Sequence, residues 1–157
     1  LNIFVLDEDP KKCAKYHCNE HVVEMITECA QLLSTAHEVL DGTRVAYEAT
    51  HINHPCSKWV RESSGNYIWL YDLYQELSDE YTYRYEKKHK SWWEYRFELS
   101  QLPRNIPIGP KTKRPQCMPE EVKEDDAVDA YREYYRISKS HIANWKRREV
   151  PYWYGTV

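Results

Sequence analysis

The chain has 157 residues, enough for one domain with a sizeable core, and carries 22 Lys and Arg against 25 Asp and Glu, a formal net charge of −3. That balance excludes a protein held on nucleic acid by bulk charge alone, and no apolar run reaches the length of a membrane span. The cysteines, Cys13, Cys18, Cys29, Cys56 and Cys117, are odd in number and lack a CxxC pair, which predicts reduced thiols in a cytoplasmic compartment over a disulfide framework.

Asn2 to Leu6 reads as a short extended segment. Asp9 is then a sound N-cap with Pro10 at the first helical position, and the apolar period Ala14, Cys18, Met25, Leu32, Leu33, Ala36 and Leu40 predicts one helix over 10–40, stopped by Asp41-Gly42. Residues 44–50 suggest a helical turn. His51 to Cys56 reads as a loop, extended at His54 because Pro55 follows. Tyr67, Leu70, Tyr71, Tyr74, Leu77, Tyr81 and Tyr85 predict a helix from near Ser64 to about Lys88, and a shorter one follows over Ser91 to Leu102. Pro103, Pro107, Pro110, Pro115 and Pro119 then forbid an ordinary helix, and a loop of that length is usually functional or mobile. A last helix starts near Asp125 or Asp126 and carries Val128, Tyr131, Tyr135, Ile142 and Trp145 before Pro151. With no alternating strand pattern and no repeat, the expected fold is all-α: a single domain over 1–157, four to six helices with long loops, and Leu32, Leu33, Leu70 and Leu77 in its core.

Steps of four, three and four residues align His17, His21, Glu24 and Glu28 beside the apolar row of the first helix. Three readings compete. Glu28 is a catalytic carboxylate in a partly dry cleft; or His17 and His21 hold a divalent metal, completed by Glu24, Cys18, His51, His54 or Cys56; or His21 and Glu28 simply hydrogen-bond neighbouring helices. No strong cysteine-histidine motif surrounds the pair, so neither a metal nor another cofactor is assigned. Arg104, Lys111, Lys113 and Arg114 form an acid-free segment, and after the acidic stretch Glu120 to Asp129 a second basic segment carries Arg147 and Arg148. Together these predict one positive face for phosphates. With 14 Tyr and 6 Trp against 2 Phe, aromatic residues are expected at half-wet surfaces, where Trp59, Trp92 and Trp93 are candidates to stack on an extruded base. The alternative is that Tyr replaces Leu in the core.

Asp9-Pro10, His21 to Glu28, Glu28 to Leu33 and Asn53-His54-Pro55 to Trp59, with the C-terminal Pro151 to Trp153, together resemble the phage-type pyrimidine dimer DNA glycosylases with abasic-site lyase activity and their small uncharacterised relatives. The chain is also similar over most of its length to uncharacterised proteins of tailed marine phages, a likeness that brings no activity with it. The glycosylase resemblance implies that a free terminal α-amine attacks the sugar C1′, expels the base and leaves an imine, while a glutamate stabilises the sugar cation and assists proton transfer. On this sequence it implies Asn2 as the nucleophile and Glu28 as the carboxylate; His21 is expected at the same site, with His17, Glu24 and His54 as further pocket candidates. Two positions depart from the family pattern: Ile3 and Thr27 stand where the family places arginines. The expected function is a DNA-repair-like or base-processing protein with DNA as its partner. A noncatalytic interaction module with a protein partner is the alternative, and a metal-dependent hydrolase on His17, His21 and His54 the third.

Overall fold

Asp9 opens the first helix, α1 (Pro10–Tyr16), by accepting a hydrogen bond from the Lys11 amide. The computed structural model describes residues 1–155, whose regular elements are all helical, with no strand among them. The helix expected over 10–40 is broken: α1 stops at His17 and α2 (Asn19–Asp41) begins after Cys18. The cause is a competition for one carbonyl. His17 Nδ1 takes Cys13 O at 2.7 Å, while the His17 amide falls back on Ala14 O. Distant residues then hold the break open. Buried Arg84 donates to Glu80 (2.7 Å), to Asn19 Oδ1 (3.1 Å) and to Lys15 O (2.9 Å), and the Asn19 amide donates to Asn144 O.

α2 ends where Gly42 adopts φ 71° and donates its N–H to Glu38 O, a left-handed cap that glycine enters without strain. Residues 44–50 form no helical turn. They lie over α2, with Ser34 Oγ donating to Tyr47 O and accepting from Tyr47 N. His54 is extended as expected, but the proline after it starts a helix: α3 (Pro55–Glu62) has Pro55 in its first turn and the His54 ring as its cap. Ser63 then caps α4 (Ser64–Tyr85), which ends short of Lys88 because Glu86 turns left-handed. α5 (Lys90–Leu99) and α6 (Ala127–Ser138) complete the set. The last helix is shorter than expected. Ile142 lies in a separate 3₁₀ turn, and Trp145, though outside any helix, is buried with its indole donating to Tyr16 O.

α2 and α4 form the centre, with α1, α3 and α5 packed on them. Leu32, Leu33, Leu70 and Leu77 are all buried there. Ile3 to Leu6 enters the same core without forming a strand.

The proline segment is strapped down. Its carbonyls at Pro107 and Gly109 accept from the amides of Ser64 and Gly65, Pro110 O accepts from Ser63 Oγ, and Asn66 exchanges hydrogen bonds with Thr112. This approach requires glycine at 65: a Cβ there would lie 2.6 Å from Lys111 N and 2.7 Å from Pro110 C. Farther on, the Arg114 guanidinium lies 3.9 Å from the Trp69 ring centre and 4.7 Å from that of Trp59, bound also to Glu8. The strap delivers Cys117 to the region described next. No described helix is long and apolar enough to cross a membrane.

Candidate active site

One cavity of about 410 Å³ gathers chain segments that are far apart in sequence: Leu1, Asn2 and Phe4 from the N-terminal segment, His21, Glu24, Met25 and Glu28 from α2, and His54, Cys117, Tyr134 and Lys139. Three members of the polar stripe therefore share a wall, since residues 21, 24 and 28 face one side of an unbroken helix. His17 does not line the cavity. It is fully buried beyond the helix break, and burial lowers its pKa to about 4, so it stays neutral. The i, i+4 geometry assumed for a His17–His21 metal pair is lost with the break.

Glu28 faces the cavity from α2. The main-chain nitrogen of Leu1 lies 3.6 Å from its Oε1. Burial raises the Glu28 pKa, the nearby amine pulls it back, and Glu24 adds to the rise. The net direction is upward, which makes the carboxyl group easier to protonate than an exposed one.

His21 is held tightly. Its ring stacks on Phe4 at 4.2 Å, and its Nδ1 lies 2.6 Å from the Tyr135 hydroxyl. That hydroxyl also accepts from the Cys18 amide and can donate to Cys18 Sγ, 3.7 Å away. Burial, aided by the charges at His17 and Lys139, lowers the His21 pKa to about 3. It is a neutral, positioned imidazole. On the opposite face of Phe4 lies Tyr134, nearly parallel at 6.3 Å, with Lys139 Nζ 5.1 Å from the tyrosine ring centre.

Asn2 turns its side chain inward. Its Nδ2 donates to Cys117 O, and its Oδ1 accepts from Tyr131 Oη at 2.6 Å. The nitrogen that reaches Glu28 is that of Leu1. His54 borders the cavity while its Nδ1 accepts the Cys56 amide, and burial lowers its pKa.

The remaining sequence candidates lie elsewhere. Lys111 and Arg114 pair with Glu8, and with Lys113 they line a different pocket. Arg148 pairs with buried Glu80, Arg147 donates to Tyr83 O, and the Arg104 amide binds Asp41. The single positive face expected of these residues is therefore replaced by separate groups, several neutralised by acids from other segments. Trp59 is 2% exposed, with its indole on Thr112 O, and offers no face to a base. Trp92 packs against Tyr74, and Trp93 is exposed on α5 beneath Arg96 and Lys88. Neither borders the Glu28 cavity.

Sequence reading missed Phe4, Tyr134, Lys139 and Cys117. Tyr134 carried a usable signal: it is next to Tyr135 but off the apolar row of α6.

The described residues thus form an all-helical fold in which half-buried Glu28 lies 3.6 Å from the Leu1 nitrogen. The family model of pyrimidine dimer DNA glycosylase matches residues 1–94, and the chain belongs to that family. No curated protein and no solved structure matches it.

Proposed function

We propose that this protein processes bases in DNA by glycosylase chemistry at the Glu28 cavity, using a main-chain amine as nucleophile. The observation that carries the reading is the 3.6 Å approach of the Leu1 nitrogen to Glu28 within a cavity that also holds His21 and His54. By the family pattern the attacking amine is that of Asn2, once the chain is processed to that residue. Its lone pair forms a bond to the sugar C1′, the C1′–base bond breaks, and the base leaves with the electron pair and a proton. The C1′–O4′ bond then opens, O4′ taking a proton, to give the imine; this loses a C2′ proton, and β-elimination releases the 3′ phosphate. Glu28 stabilises the cationic sugar and transfers protons, a role favoured by its raised pKa.

His21 is neutral, so it acts by position and hydrogen bonding, with Phe4 and Tyr135 fixing its ring. Glu24 and His54 border the space the sugar would enter. Tyr134 is the aromatic wall of that space, and Lys139 is its cation for a phosphate. Arg104, Lys113 and Arg147 contact the backbone farther out. His17 supports the helix break and takes no part in the chemistry.

The test is reductive trapping. Borohydride converts the imine into a stable protein–DNA adduct, so wild-type protein with a duplex carrying an abasic site or a pyrimidine dimer should give a covalent band. Mass spectrometry of the adduct identifies the residue that carries the amine. Glu28→Gln should suppress trapping and leave duplex binding nearly intact, because charge is removed with little change in volume. Binding without trapping in the wild type would reject the chemistry. Failure to bind DNA at low salt would favour the interaction-module reading, for which α5 offers exposed Trp93 and Phe97.

A further inference from the structure

The cavity wall also holds a group that the glycosylase chemistry leaves unused. His54, Cys56 and Cys117 each offer one ligand atom, and these atoms all lie within 4.8 Å of one another. The two sulfurs are 3.7 Å apart. That distance is informative. A disulfide requires about 2.05 Å, whereas two thiolates bound at about 2.3 Å to a tetrahedral zinc are separated by about 3.8 Å. The sulfurs already stand at the zinc separation.

The surroundings support the same assignment. One imidazole and two thiols form a donor set matched to zinc, and three protein ligands leave a fourth position open. His54 and Cys117 border the cavity, while Cys56 is fully buried, so the open position faces the cavity. Cys56 lies in the first turn of α3, two residues after His54. Cys117 is held by its backbone: its carbonyl accepts from Asn2 and its amide donates to Tyr131 Oη. Asn2 Oδ1, 3.9 Å from Cys56 Sγ, already accepts from Tyr131 Oη and the Ile3 amide, so it is not the fourth ligand.

We propose that His54, Cys56 and Cys117 form a three-ligand zinc site on the wall of the Glu28 cavity, with water in the fourth position. Binding displaces one proton from each thiol to solvent. It also breaks the hydrogen bond between His54 Nδ1 and the Cys56 amide, because the ring either gives that lone pair to the metal or moves its proton there to free Nε2. The metal adds a link between α3 and the proline strap beyond the contacts of Trp59 with Thr112 and Arg114. It stands whether or not the DNA chemistry does.

The experiment uses the full chain, kept reduced, loaded with zinc alone and desalted. Elemental analysis should find about one zinc per wild-type chain. Cys117→Ser and His54→Asn should each weaken zinc at least tenfold in competition with a chromophoric chelator; asparagine at 54 keeps a helix cap while removing the imidazole. Cys29→Ala, which removes a buried thiol outside the cluster, should retain the metal. Cobalt(II) should give a thiolate charge-transfer band and intense visible bands of tetrahedral geometry, both lost in Cys117→Ser. Circular dichroism confirms that each variant is folded. Wild-type protein that retains no zinc, a Cys56–Cys117 disulfide formed in its place, or equal retention by folded Cys117→Ser overturns the site.

Discussion

Gly65→Ala tests whether the proline strap is packed as tightly as its geometry states. The new Cβ would meet Lys111 N at 2.6 Å, Pro110 C at 2.7 Å and Gly109 O at 3.0 Å, all backbone atoms that cannot rotate away. Reaching ordinary contact at 3.4 Å needs a displacement of roughly 0.8 Å, and overpacking of this kind costs about 1–3 kcal/mol. Alanine is the better helix former, which returns up to about 1 kcal/mol. The net expectation is a loss of about 1–2 kcal/mol, or roughly 2–8 °C in Tm for a chain of this size. Urea unfolding measures it. Hydrogen exchange adds the location, because the amides of Ser64 and Gly65 donate to the strap and should exchange faster in the variant. Gly42 is the control. A Cβ there meets nothing within 4 Å, but φ is 71°, so Gly42→Ala is strained while Gly42→Asn is tolerated better. At position 65 the order reverses, with asparagine worse than alanine. A neutral or stabilising Gly65→Ala, with unchanged exchange at the two amides, would refute the close approach.

Tyr135→Phe should cost about 1–3 kcal/mol in urea unfolding, because it strands both the Cys18 amide and His21 Nδ1 in a buried place; a loss under half a kcal/mol would show that water replaces the hydroxyl. Stability should fall as pH drops below 6.5 toward about 3. His17 and His21 titrate at about 4 and about 3 when folded, so in that window the unfolded chain binds more protons and is favoured. For His17 the effect is on the order of 3 kcal/mol, and replacing it with an uncharged residue should flatten the profile. Glu28 acts with the opposite sign, since its raised folded pKa favours the native state as pH falls through the carboxylate range. In duplex binding, Lys139→Ala should lessen the log–log salt slope by about 0.9 if its ammonium contacts one phosphate. Arg148→Ala should lessen the slope by less than Lys139→Ala, because Glu80, shared with Arg84, holds that guanidinium against the protein.

What the sequence made legible was local. Asp9-Pro10 starts α1, Asp41-Gly42 ends α2, and Asp126 caps α6, because each signal needs only a few neighbouring residues. The row from His21 to Glu28 was legible for the same reason, since helical period alone puts those residues on one wall. The break at His17 was not, because it depends on Arg84 and Asn144, which are remote in sequence. Proline was misread at one position only. Pro55 ends an extended residue and begins a helix, and local preference cannot say which effect dominates until Trp59 and Val60 find the core.

The charged segments failed in a more instructive way. Counting cations along the chain ignores acids that folding brings from elsewhere, and Glu8 and Glu80 supply them. The consequence reaches function. Each of those acids is shared by two cations, so the positive charge is halved and scattered, and the proposed recognition rests on the cavity, which Tyr134 and Lys139 line with Glu28. A lesion that is already unstacked is cheaper to extrude than an intact base pair. The protein should therefore discriminate sharply between damaged and intact duplex, and that ratio should persist as rising salt weakens both. If both affinities instead fall until they are equal, the binding is bulk electrostatics and the cavity takes no part in recognition.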